Sequence, residues 1–160
     1  MPYVSLQQMF DERWTEGHRN YWKSHYHREL SDGAIETLVD YCDSDAPFYP
    51  VFIEWLGGAI SRPDAASTAF PHRDKALAFT VAMRWNEPER DDEHISWARE
   101  FHEAMAPYAA DGVYMNYLIR NEEELLPEAY GDRYQRLRDL KTRWDSENLF
   151  RVYQNIKPED

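Results

Sequence analysis

Apolar residues recur at two different periods along the chain, which predicts alternating helices and strands. After Ser31, a good N-cap residue, apolar side chains follow the helical spacing i, i+3, i+4, i+7. We therefore expect a helix whose buried stripe comprises Ile35, Leu38, Val39 and Cys42, with Cys42 as a small buried hydrophobe. A longer helix is expected after the acidic residues 91–93, with a buried stripe formed by His94, Trp97, Ala98, Phe101, Met105 and Tyr108.

Three further segments have weaker helical patterns. Residues 5–14 predict a short N-terminal helix, and residues 122–130 predict another short one. Asp132 is the expected cap of a longer helix. The apolar side of that helix comprises Tyr134, Leu137, Leu140 and Trp144.

Four segments predict strands. Residues 19–26 are rich in aromatic side chains, and residues 49–56 are apolar except at Glu54. Residues 76–85 place large apolar side chains on one face and small ones on the other, and residues 112–117 form a short fourth candidate.

Strands separated by helices predict a single α+β domain over residues 1–160. We expect a mostly antiparallel sheet of about four to seven strands, with helices packed on one face. The other face is expected to be open towards a ligand or a partner, because the small side chains of 76–85 leave space there.

Charge and cysteine content narrow the possible functions. The chain has 30 acidic and 18 basic residues and a net charge of −12, which disfavours binding to nucleic acid or to an anionic membrane surface. No apolar run is long enough to span a membrane and the N-terminus does not resemble a signal peptide, so we expect a cytoplasmic protein. Its single cysteine excludes an internal disulfide.

Glu54 is the first candidate for chemistry, because a carboxylate in an apolar strand needs either a polar site or a charged partner. One interpretation is a general base whose pKa is raised by burial. The other is a structural ion pair with an arginine, for which Arg62, Arg73 and Arg84 are the candidates.

Tyr114 and Asn116 are two residues apart in a predicted strand, so a phenol and an amide would share one face. The tyrosine could be an acid or base, or it could simply pack. His25 and His27 would also share a face, but without a third ligand at a fixed spacing we predict no metal site.

Several short motifs occur in a particular order along the chain. They are Tyr21-Trp22-Lys23-Ser24, Glu54-x-x-Gly57-Gly58, Phe70-Pro71-His72-Arg73, Tyr114-x-Asn116-Tyr117, Asp145-Ser146-Glu147-Asn148 and Gln154-Asn155-Ile156. Together they resemble the berberine bridge enzyme-like flavoproteins, FAD-linked oxidases and dehydrogenases of the vanillyl-alcohol oxidase superfamily. The family's C-terminal segment corresponds to about residues 112–158. Where the family commonly has Asn-Gln-Asn-Ile, this chain has Tyr153 in the first position.

The resemblance implies the substrate-binding and C-terminal part of an FAD-dependent oxidoreductase. Such an enzyme would oxidise an alcohol or a similar C–H donor by hydride transfer to the flavin. Asn116, Asn155 and Gln154 would contact the flavin, Tyr114 would be a substrate-side acid or base, and Glu54 would line the cavity.

Most of the FAD would be held by a flavin-binding domain or chain that this sequence does not include, so the chain alone is expected to be inactive. The expected partners are that domain and a small-molecule substrate. The alternative is a non-catalytic α+β binding or oligomerisation module, a degenerate remnant, that associates through its open sheet face.

Overall fold

Three antiparallel strands form the sheet in the computed structural model, which describes residues 1–43, 51–120, 122–151 and 154–159. The strands are β1 (Arg19–His27), β2 (Val51–Trp55) and β3 (Leu77–Trp85), in the order β1-β3-β2. The central strand β3 is buried along almost its whole length, as expected for a strand that has a neighbour on both edges. The α+β class and the antiparallel sheet are therefore confirmed.

The described helices are α1 (Tyr3–Gln7), α2 (Asp32–Cys42), α3 (Asp91–Met105), α4 (Leu126–Tyr130) and α5 (Tyr134–Trp144). Helix α2 begins as predicted, because the Ser31 hydroxyl accepts the Ala34 N–H at 3.3 Å. Helix α3 has three acidic residues in its first turn, where they interact favourably with the helix dipole.

Helices α2 and α3 pack on the sheet face that carries the large apolar side chains of β3. The main core cluster joins both helices to this face and contains Tyr21, Ala34, Leu38, Phe79, Val81, Met83, Trp85, Ala98, Phe101 and Met105. The predicted stripe of α3 is confirmed at its four fully buried positions, His94, Ala98, Phe101 and Met105. A smaller cluster of Leu118, Leu126 and Ala129 lies under α4.

The predicted strand at 112–117 is wrong, and the sheet has three strands among the described residues rather than four to seven. Gly112 has a φ of +91°, and residues Met115–Tyr117 form a 3₁₀ turn. The Tyr117 N–H bonds to the Tyr114 carbonyl at 2.8 Å. The backbone is therefore satisfied locally and is not available to a neighbouring strand.

The predicted stripe of α2 is only partly correct. Leu38 is buried, but Ile35, Val39 and Cys42 are exposed, so the expected burial of Cys42 is wrong. The buried side is shifted by one residue to Ala34 and Leu38, and Tyr41 stacks on Phe101 with 4.4 Å between ring centroids. This aromatic contact with α3 sets the rotation of the helix.

Two other predictions are corrected in detail, and a third lies partly outside the described residues. The N-terminal helix is limited to α1, and a 3₁₀ turn at Asp11–Arg13 follows it. Asp132 does not cap α5: it lies in the 3₁₀ turn Gly131–Arg133 that leads into the helix, and the N-cap position is occupied by Arg133 without a side-chain bond. Residues 49 and 50 of the second predicted strand lie outside the described residues.

Half of the apolar side predicted for α5 is exposed to solvent: Leu140 and Trp144 are exposed, whereas Tyr134 and Leu137 are partly buried. The helix has no buried residue, and Trp144 is 73% exposed. None of the helices in the described ranges is long and apolar enough to cross a membrane.

Candidate functional site

A cavity lies on the sheet face opposite α2 and α3. Alternation along the strands places Trp22, Phe52 and Glu54 on this face. The small side chains of Thr80 and Ala82 on β3 form its floor and leave the space predicted from the sequence. We call this space of about 390 Å³ the aromatic cavity; it is lined by Phe10, Trp14, Trp22, Phe52, Glu54, Thr80, Ala82, Asn116 and Tyr117.

A tyrosine–carboxylate pair lies in the wall of the aromatic cavity. The Tyr117 hydroxyl donates a hydrogen bond to Glu54 Oε2 at 2.5 Å. Glu54 is exposed, which does not fit the interpretation of a general base activated by burial. Burial, together with the hydrogen bond to Glu54 and its charge, raises the pKa of Tyr117. Tyr117 is therefore a neutral phenol near neutral pH, and it bonds to a carboxyl group that is open to solvent.

The arginines considered as partners of Glu54 are not its partners among the described residues. Arg73 binds the Ile60 carbonyl and the Thr68 hydroxyl. Arg84 binds Thr15, and Arg62 forms no ion pair with Glu54 in the described part of the chain. The carboxylate bonds to a phenol instead.

Tyr114 and Asn116 are brought together, as expected, although by a turn and not by a strand. The Asn116 amide donates to the Tyr114 hydroxyl at 2.9 Å. The Tyr114 ring meets the Tyr117 ring edge-on, with 5.2 Å between centroids. Behind them, Tyr26 is fully buried; burial raises its pKa, and its hydroxyl has no hydrogen-bond partner among the described residues.

A second cavity of about 410 Å³ adjoins the first. We call it the amide cavity; it is lined by Asn20, Tyr21, Trp22, Asn116, Leu118, Ile119, Arg120 and Gln154. Trp22 and Asn116 line both cavities. Gln154 is fixed by donating its side-chain N–H to the Leu118 carbonyl at 2.9 Å. Asn155 is half-buried beside it and is not among the residues that line either cavity.

Tyr117 is the site residue that sequence reasoning missed. In a strand, Tyr114 and Asn116 would share a face and Tyr117 would point away. In a 3₁₀ turn, residues three apart lie on the same side, so Tyr117 joins Tyr114. The sequence feature that could have indicated Tyr117 is its position as the second tyrosine of the motif Tyr114-x-Asn116-Tyr117.

The histidines of β1 have structural partners on and after α3. The His25 ring stacks on His102 at 3.6 Å between centroids. His25 donates to the His102 carbonyl at 2.9 Å, and His102 donates to the Ser24 carbonyl at 3.2 Å. His27 is buried and bonds to the Tyr108 carbonyl. Within the described ranges, no group of three or more His, Cys, Asp or Glu side chains is arranged to hold a metal ion.

Comparison with known proteins identifies the family. The family model described as berberine and berberine like matches residues 113–157. An uncharacterised FAD-linked oxidoreductase of Bacillus subtilis, YvdP, is 36% identical over 121 residues, which cover 76% of this chain and 26% of that protein. The chain is a relative of the berberine bridge enzyme-like FAD-linked oxidoreductases.

Two further known proteins are similar to this chain. Berberine bridge enzyme-like C-1 of Nicotiana tabacum is 31% identical over 160 residues, covering 79% of this chain and 28% of that protein. The solved structure of GilR, an oxidoreductase that catalyses the terminal step of gilvocarcin biosynthesis, superposes with a TM-score of 0.72 at 30% identity, covering 84% of this chain and 32% of that one. The chain thus spans about a quarter to a third of the length of these relatives.

Proposed function

We propose that this chain forms the substrate side of an FAD-dependent oxidoreductase that oxidises an alcohol or a similar C–H donor. The observation that carries the proposal is the Tyr117–Glu54 hydrogen bond, which lies in the wall of a cavity large enough for a small organic molecule. The family relationship supports the oxidoreductase class, because the matched relatives are FAD-linked oxidoreductases.

The amide cavity has a chemistry that fits a flavin ring. Its side-chain amides, Asn20, Asn116 and Gln154, can bond to the polar edge of the ring. Trp22, Leu118 and Ile119 supply apolar surface for the rest of the ring. Asn155 follows Gln154 in the chain but does not line this cavity, so no flavin contact is assigned to it. A bound flavin would supply hydride acceptance at N5, and its phosphates and adenine would be held by a flavin-binding domain or chain.

The chain's own task is to remove the proton of the donor hydroxyl. Because the pKa of Tyr117 is raised, a free phenolate is not populated near neutral pH. We therefore propose a relay: the Tyr117 oxygen takes the substrate proton while its own proton passes to the Glu54 carboxylate. Glu54 is exposed and can then release that proton to water.

Variants of the relay test this function in the flavin-loaded protein that contains this chain. Tyr117→Phe keeps the ring and removes the exchangeable proton, and Glu54→Gln removes the final acceptor. Each should slow flavin reduction in stopped-flow experiments by about 10²-fold or more, the usual contribution of acid–base catalysis. Because the two groups act in series, the double variant should be no slower than the slower single variant.

Two controls make this test specific. Tyr3→Phe alters an exposed phenol on α1 and should leave the reduction rate unchanged. Tyr114→Phe tests the alternative that the neighbouring phenol is the acid or base. A slow Tyr114→Phe protein beside a normal Tyr117→Phe protein would refute the relay and return the role to Tyr114.

A specific surface favours association with a further domain or chain. Leu140, Trp144, Leu149 and Phe150 are all exposed at and after α5, and apolar patches of this kind usually mark an interaction site. We propose that the flavin-binding portion covers this surface. The same exposed surface also favours a second candidate function, a non-catalytic binding module. Complete absence of donor-dependent flavin reduction in the flavin-loaded protein would support that candidate.

A further inference from the structure

We propose that the N-terminal segment 10–15 determines substrate specificity by closing one side of the aromatic cavity with Phe10 and Trp14. The geometry points to a donor that is a flat aromatic alcohol, either neutral or cationic, and not to a sugar or an anionic hydroxy acid. This inference rests on the proposed function, because it names the substrate class of the same site.

The aromatic wall is formed by residues that are distant in sequence. Phe10 meets Phe52 edge-on at 6.4 Å between centroids, and Trp14 lies at 6.5 Å from the same Phe52 ring. Trp22 of β1 also lines the cavity. Phe10 and Trp14 remain 41% and 40% exposed, so their rings keep surface that a ligand can cover. A flat aromatic ligand would gain binding free energy from such a wall, because it buries apolar surface and makes aromatic contacts there.

Arg84 of β3 holds this segment against the sheet. Its guanidinium lies 5.5 Å from the centroid of the Trp14 ring, within the range of a cation–π contact. The same group donates hydrogen bonds to the Thr15 carbonyl and hydroxyl. Arg84 is therefore a positioning residue for Trp14, and it does not line the aromatic cavity.

The charge of the aromatic cavity selects against anions. Glu54 is the one formally charged residue among those that line it, so a substrate carboxylate would be repelled. The other polar residues of the lining are Thr80, Asn116 and Tyr117, and Tyr117 bonds directly to Glu54. These polar groups can form hydrogen bonds with one hydroxyl group of a substrate. The remaining hydroxyl groups of a sugar would face aromatic rings and lose their hydrogen bonds to water.

Ligand binding to the 160-residue chain tests the proposal without any flavin. The probes are 2-naphthalenemethanol, its anionic analogue 2-naphthoate, and sorbitol. Their binding is measured by tryptophan fluorescence and by NMR chemical-shift changes. We expect 2-naphthalenemethanol to bind at least about tenfold more tightly than either comparison compound. Trp14→Leu and Phe10→Leu should each weaken its binding about threefold to tenfold, and Trp14→Phe should retain most of it.

Trp144→Leu is the control, because it removes an exposed tryptophan that does not line the aromatic cavity. Far-UV circular dichroism confirms the fold of each variant; Phe10 and Trp14 are both exposed enough for substitution to be tolerated. Equal binding of sorbitol or 2-naphthoate, or unchanged binding to both Trp14→Leu and Phe10→Leu, overturns the proposal.

Kinetics separate this proposal from the relay. In the flavin-loaded protein, Trp14→Leu should raise KM for aromatic alcohols with little change in kcat, whereas Tyr117→Phe should lower the rate of flavin reduction. The aromatic specificity can hold in the binding assay even if Tyr117→Phe is fully active. Equally, the relay can hold while Trp14→Leu binds normally, so the two failures are distinguishable.

Discussion

The stacked pair His25–His102 should make the stability of the chain depend on pH. Burial, followed by the neighbouring His25, lowers the pKa of His102 to about 4. Burial also lowers the pKa of His25, and the ammonium of Lys23 acts on both rings in the same direction. Protonation would place positive charge on rings whose centroids are 3.6 Å apart, so the folded state favours the neutral pair.

The magnitude follows from proton linkage. An unfolded histidine has a pKa near 6.5, so between pH 6.5 and 4 the unfolded state binds more protons than the folded state. The stability contributed by neutral His102 is fully present above pH 6.5 and is lost as the pH falls through the folded pKa. For folded and unfolded values of about 4 and 6.5, the loss is about 2 kcal/mol at pH 5 and approaches about 3 kcal/mol below pH 4.

Urea denaturation between pH 8 and 4.5 measures this loss in the free energy of unfolding. His102→Gln should make the curve less steep below pH 6.5 but not flat, because burial also lowers the pKa of His25, His27, His72 and His94. His18→Gln replaces a histidine outside the pair and is the control. NMR titration of the imidazole signals gives an independent value. If His102 titrates near 6.5 in the folded chain, or if His102→Gln has the same pH profile as the parent, the argument is refuted.

Two further predictions concern the core and one turn. Phe101→Ala should lower the free energy of unfolding by about 3–5 kcal/mol, because this fully buried ring contacts Tyr41, Phe79 and Trp97; urea denaturation measures the loss, and exposed Leu140→Ala, expected to change stability by less than about 0.5 kcal/mol, is the control. Gly112→Ala should cost more than Gly58→Ala in the same assay: both glycines have positive φ, but a Cβ at Gly112 would overlap the His72 ring, whereas one at Gly58 meets nothing within 4 Å. Equal losses for the two alanine variants would show that the His72 ring moves aside without cost.

The fold was most predictable where periodicity and burial coincide. Strand β3 and helix α3 each place a continuous apolar face against the same core. The sequence pattern therefore predicts both the kind of secondary structure and the side that is buried. Helix α2 shows the limit of this approach. Its pattern predicts the helix and the cap at Ser31, but the stack of Tyr41 on Phe101 sets its rotation and leaves Cys42 exposed. That contact joins residues 60 positions apart, which a local pattern does not encode.

The candidate site was also only partly predictable from the local sequence pattern. The place of Glu54 in the site was predictable, because a carboxylate in an apolar strand needs either a polar site or a charged partner. Its partner was not, because a strand and a 3₁₀ turn over residues 114–117 direct Tyr117 to opposite sides. Gly112, which has a positive φ, precedes the turn, and such a conformation is not one that a regular strand adopts. In the 3₁₀ turn it is Tyr117 that bonds to the carboxylate, and the Tyr114→Phe and Tyr117→Phe pair measures which phenol takes part in proton transfer.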